Sequence, residues 1–135
     1  MKLSEISPAT QKASFWTLTI LISLFFFISG YMELTKNPAT YIKTLKMGYP
    51  PYFIALLGLA KVVGAVVLLI PKLRLQTWVF AAFTIDVIFA FFSGYATESY
   101  ADCIKAGIVF AFLMLSYRLF VSTDRAQRLV HAAVK

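Results

Sequence analysis

The sequence is poor in the residues from which most soluble chemistry is built. It holds one cysteine, Cys103, so no intrachain disulfide and no paired-thiol redox centre can form. Its one histidine, His131, lies close to the C-terminal end. A bis-histidine haem site, a histidine-rich metal site and a vitamin-K-reductase type of dithiol chemistry are therefore excluded for this chain alone. Charge is scarce as well. Asp, Glu, Lys and Arg make up 14% of the residues, against about 25% in a soluble domain. With 60% hydrophobic and 16% aromatic residues, there is too little polar surface to cover a globule in water. The 135 residues amount to one domain, and the expected class is an all-α integral membrane protein. The net charge of +7 then reads as membrane topology and contact with anionic lipids, with no nucleic acid involved.

What the sequence does contain is long apolar runs. A helical span needs about 20 predominantly apolar residues, and segments 14–34, 51–70, 75–96 and 104–121 qualify. Pro50 and Pro51 open the second and Pro71 closes it, as suits helix boundaries. The connections at 71–74 and 97–103 are short, so neighbouring spans run antiparallel in an up-down four-helix bundle. The first connection, 35–50, is longer. There Tyr41, Ile42, Leu45 and Met47 alternate with Lys43 and Lys46, which predicts a short amphipathic helix at the interface. The first run is too long for a cleavable signal peptide, and no small-residue cleavage site follows it. The expected organisation is a segment 1–13, a membrane domain 14–121 and a basic tail 122–135.

Orientation follows from the basic residues. Lys2, Lys12, Lys72, Arg74, Arg118, Arg125, Arg128 and Lys135 fall on one side, and Lys36, Lys43, Lys46 and Lys105 on the other. Both termini are expected to be cytoplasmic, in a bacterial inner membrane. FFISGYMEL (26–34) and FFSGYATES (91–99) both end outward-going spans. Either a parallel repeat or convergent use of aromatic and small residues at an interface accounts for that echo.

Lys61 stands alone in LLGLAKVVGAVVLLI, residues 56–70. At about 1.5 Å per residue it lies about 15 Å from Pro71, and Asp86 lies about 16 Å from Leu75 on the next span. The two are expected to meet near the midplane, where a lone charge costs roughly 2.5 to 3.5 kcal/mol on insertion scales. Helical spacing from Lys61 selects Gly58 and Gly64, and from Asp86 it selects Ala82, Phe83, Ala90 and Ser93. Mostly small, these residues let helix backbones approach closely, and they are the candidate pocket lining. Glu33 closes the first span one turn after Ser29, within expected reach of Lys105 or of the inner pair. Such a polar core has two uses. It can fix helix register, or it can contact a ligand, since a desolvated ammonium is a strong donor to an anionic or quinone-like oxygen.

Residues 48–71, GYPPYFIALLGLAKVVGAVVLLIP, and 77–94, TWVFAAFTIDVIFAFFSG, resemble the DoxX-like family of small four-helix membrane proteins. Trp78, Phe80, Phe83 and Asp86 match its tryptophan-aromatic start and buried aspartate, and Ser29, Gly30 and Tyr31 also fit. The resemblance covers about residues 15–120. Family members often carry Ser-His after the third span, where this chain has Ser93-Gly94. A basic residue is also common there near the position of Glu33. The family takes its name from a subunit of a thiosulfate-oxidising, quinone-reducing membrane complex, and other members are linked to redox-stress complexes. The resemblance therefore implies an inner-membrane protein, with a redox-associated role among the options.

The leading expectation is a non-catalytic accessory bundle that holds a lipid or small hydrophobic ligand, a quinone included, and meets membrane lipids and another membrane or redox protein. No complete catalytic, cofactor or metal site is visible in the chain. Two rivals stand beside that reading: the membrane subunit of a quinone-linked oxidoreductase, and a small multidrug-type exporter.

Overall fold

The computed structural model describes residues 7–71 and 73–133. Five helices follow in order: α1 (Pro8–Leu34), α2 (Pro38–Lys46), α3 (Pro51–Leu68), α4 (Leu73–Ala96) and α5 (Tyr100–Ala133). Among the described residues there is no strand. The expected position 72 and the ends 1–6 and 134–135, with Lys2, Lys72 and Lys135, lie outside the described residues.

The helix boundaries follow local chemistry. Ser7 caps α1 through a side-chain oxygen that accepts from Thr10 N, and Pro8 occupies the first turn, where its missing N–H costs nothing. Lys36, with φ of 53°, turns the chain in the left-handed region after α1. Asn37 then caps α2 by accepting from Ala39 N at 3.1 Å, with Pro38 behind it. Pro50 and Pro51 start α3, and the helix stops before Pro71. Glu98, at φ 55°, reverses the chain between α4 and α5.

α1, α3, α4 and α5 are each long and apolar enough to cross a membrane. At most 33% of any of their apolar windows is buried inside the bundle. Leu21, Leu56, Trp78, Phe92 and Ile104 are among the large side chains that point outward. So much exposed apolar surface on every side is costly in water and at home in lipid. α2 has no buried residue and occupies the end of the bundle where α1 stops and α3 begins. The segment from 122 onward, expected as a separate basic tail, continues α5 as helix to Ala133.

The long helices form a ring in which α1 packs most extensively on α3, and α4 on α5; α5 closes onto α1, and α3 meets α4. Phe15, Ile22, Phe26, Leu68, Phe80, Phe83 and Leu113 fill the centre. Short polar links cross between helices: Ser23 donates to Ala65 O at 2.6 Å, Gln76 donates to Leu68 O at 2.8 Å, and Thr19 meets Ser116 at 3.2 Å. In a medium without water such bonds satisfy groups that have no other partner.

Candidate functional site

The site starts from two glycines. A Cβ added to Gly30 would lie 2.6 Å from Gly58 O, and one added to Gly58 would lie 2.8 Å from Gly30 O. The backbones of α1 and α3 touch there, and no larger residue fits. Beside that contact, Glu33 leaves α1 next to Gly58 and Lys61 leaves α3 next to Gly30. Lys61 Nζ donates to Glu33 Oε1 at 2.7 Å, and Asp86 Oδ2 of α4 lies 3.6 Å from the same nitrogen. Glu33 is 4% exposed and Lys61 9%, while Asp86 is half-buried.

The expected pairing of Lys61 with Asp86 is thus the longer of two contacts. Glu33 is the nearer partner, and Lys105, its other expected partner, lies at the pocket lining instead. The reason is the glycine contact, which sets α1 against α3 so that Glu33 and Lys61 stand about one turn apart. The long lysine stem then carries its ammonium away from its own Cα towards the α2 end.

Above this cluster opens a cavity of about 460 Å³. Phe25, Phe53, Leu57, Phe89 and Val109 give it apolar walls, and the Glu33, Lys61 and Asp86 side chains give it a polar floor. α2 lies across its mouth through Thr40, Lys43, Thr44 and Met47. Lys43 donates to Asp102 at the start of α5, and Ser99 donates to the same carboxylate. Tyr49, in the α2–α3 connection, shares a 2.7 Å hydrogen bond with Ser93 of α4 and stacks on Phe53. α2 is therefore held on both sides.

Of the lining residues expected from the sequence, Ala90 and Ser93 face this cavity. Gly58 serves the α1–α3 contact. Phe83 is buried and stacks on Phe26, with ring centroids 3.8 Å apart. Gly64 makes room for that ring, since an added Cβ would lie 2.8 Å from it. Ala82 is exposed on the outside of α4. Sequence reasoning missed Phe26 and Ser29, although they stand seven and four residues before Glu33, on its own helical face. It also missed the α2 roof, which no spacing within a span could reveal. Lone Cys103 donates its thiol to Phe91 O at 3.6 Å and packs against Gly94.

Chemically, the floor offers one ammonium to two carboxyls at the base of a mostly apolar, half-open cavity. Glu33 Oε2 is buried with no hydrogen-bond partner; among the described residues only Thr123 Oγ1 shares that condition. Among the described residues no group of three or more His, Cys, Asp or Glu side chains is placed to hold a metal ion.

No curated protein and no solved structure matches the chain. The model of the DoxX-like family matches residues 17–116, which include α2, α3, α4, most of α1 and the Glu33–Lys61–Asp86 cluster. With that match over four apolar helices arranged as a bundle, this integral membrane protein belongs to the DoxX-like family.

Proposed function

We propose that this protein holds a small amphipathic ligand inside the membrane, as an accessory bundle that binds without transforming it. The observation that carries the reading is the cavity of about 460 Å³, apolar in its walls and polar at its floor. Ligand sites commonly have that composition and run from about 300 to 1,000 Å³. A pair kept only for helix register has no need of adjoining space. The excess of basic residues beside Lys12, Arg74, Arg118 and Arg128 supports an orientation with both ends of the bundle's chain cytoplasmic, in what we take to be a bacterial inner membrane. α2 and the cavity mouth then face the opposite side.

The test is retention. The protein is purified in detergent, washed extensively, and its extract is analysed by mass spectrometry beside that of Ala90→Phe, which fills the cavity. A molecule kept near one per chain by the natural protein and lost by the variant supports the reading. Equal retention by both, or no retained molecule at all, removes it.

A further inference from the structure

We infer that the cavity selects an amphipathic molecule whose polar head is a single cationic nitrogen. This rests on the ligand-binding reading above and adds the chemical class of the ligand. Three observations carry it. First, Glu33 and Asp86 share one ammonium, so the floor has one carboxyl more than it has cations. Second, both carboxyl side chains line the cavity, and Asp86, 18% exposed against 5% for Glu33, is the more open of the two. A charged donor placed beside Asp86 completes an acceptor whose contact with Lys61 is the longer one, at 3.6 Å. Third, aromatic side chains line the cavity, Phe25, Phe53, Phe89 and Tyr49 among them. Ring faces attract a desolvated cation and also bury its apolar chain.

Two lysines near the mouth, Lys43 and Lys105, act against a cation. Lys43 is neutralised by Asp102, which leaves one net charge at the rim. Lys43 is 46% exposed, whereas the floor side chains are 5–18% exposed. Charges at an exposed rim are screened over about 8 to 10 Å. Charges on side chains this buried act through a lower effective dielectric. The floor therefore outweighs the rim.

The experiment compares heads on one chain length. Radiolabelled dodecylamine, dodecanol and dodecanoate are dialysed against the protein in zwitterionic nanodiscs, with empty nanodiscs as the blank. Sphingosine, a lipid whose one charged group is a primary ammonium, competes in a further arm against the water-soluble butylamine, to separate a lipid from a free amine as the source of the nitrogen. Dodecylamine should bind about tenfold or more tighter than dodecanol, the scale expected when a charged donor replaces a neutral one, and dodecanoate should bind weakest. Glu33→Gln and Asp86→Asn, each checked for monodispersity, should each bring amine and alcohol towards equal affinity. Competition by sphingosine but not by butylamine assigns the cation to a lipid; competition by butylamine assigns it to a free amine. Dodecanol or dodecanoate binding as tightly as the amine to the natural protein overturns the cationic head and leaves ligand binding standing. If no probe exceeds the blank, both proposals fall.

Discussion

The Lys61 ammonium sits 2.7 Å from Glu33 Oε1, closer than to Asp86, at 3.6 Å. The charge in the middle of α3 is therefore bound chiefly to α1, with α4 as the second partner. Removing Lys61 leaves two carboxyls facing each other in an apolar interior, and breaking a buried pair typically costs about 3 to 5 kcal/mol. Lys61→Met should therefore lower detergent thermal stability more than Glu33→Leu, and Glu33→Leu more than Asp86→Leu. The combination Lys61→Met with Glu33→Leu should recover more stability than Lys61→Met with Asp86→Leu, which strands the more buried carboxyl. Melting curves of the five variants check the order. Purely additive effects would mean that these side chains do not interact.

Gly30 and Gly58 make a second, sharper prediction. An alanine at either site puts a methyl within 2.8 Å or less of the opposing backbone carbonyl, which has no side chain to move aside. Overpacking of this kind costs about 1 to 3 kcal/mol, and it should also pull Glu33 away from Lys61. Gly107→Ala is the control, because nothing lies within 4 Å of its added Cβ. That variant should melt at or slightly above the natural temperature, since alanine is the better helix former. A Gly30→Ala protein as stable as the Gly107→Ala protein would refute the helix contact.

The Lys43–Asp102 link holds α2 over the cavity mouth, with its Lys43 side about half exposed. Exposed ion pairs contribute about 0 to 1 kcal/mol, so Lys43→Met should barely shift the melting temperature. Its effect should appear in exchange. A probe bound in the cavity should leave several-fold faster from Lys43→Met than from the natural protein, and high salt should narrow the difference. Stopped-flow release of a fluorescent amphiphile measures it; identical rates would show that α2 is no barrier.

Topology gives a prediction independent of the site. A reporter fused after Ala133 and another inserted at Thr97 should report opposite sides of the membrane, with the former cytoplasmic. Both on one side would contradict four crossings.

Cys103→Ser should leave folding and ligand binding intact, because a serine hydroxyl can keep the thiol's hydrogen bond to Phe91 O and is small enough for its place against Gly94. Thermal melting and probe binding of the variant check this. A large loss in either would point to a role for the sulfur that its surroundings do not indicate.

Sequence alone was enough for the architecture, because a bilayer imposes a one-dimensional rule. Each span must satisfy its own backbone hydrogen bonds and present enough apolar length, and both requirements can be read along the chain. The prolines at 50, 51 and 71 and the Lys/Ile/Leu alternation of 41–47 mark the ends of α3 and the presence of α2 for the same local reason. Helical spacing also brought out Lys61, Asp86 and Glu33 as residues too costly to bury unpartnered. Which of them meet was decided elsewhere. The Gly30–Gly58 contact sets how far α1 slides along α3, and that offset gives Lys61 to Glu33 ahead of Asp86. The cavity is still less local, since its walls come from α1, α3, α4 and α5 and its roof from α2. A pattern within one helix shows which face is buried, but the space between helices exists only once their relative positions are set.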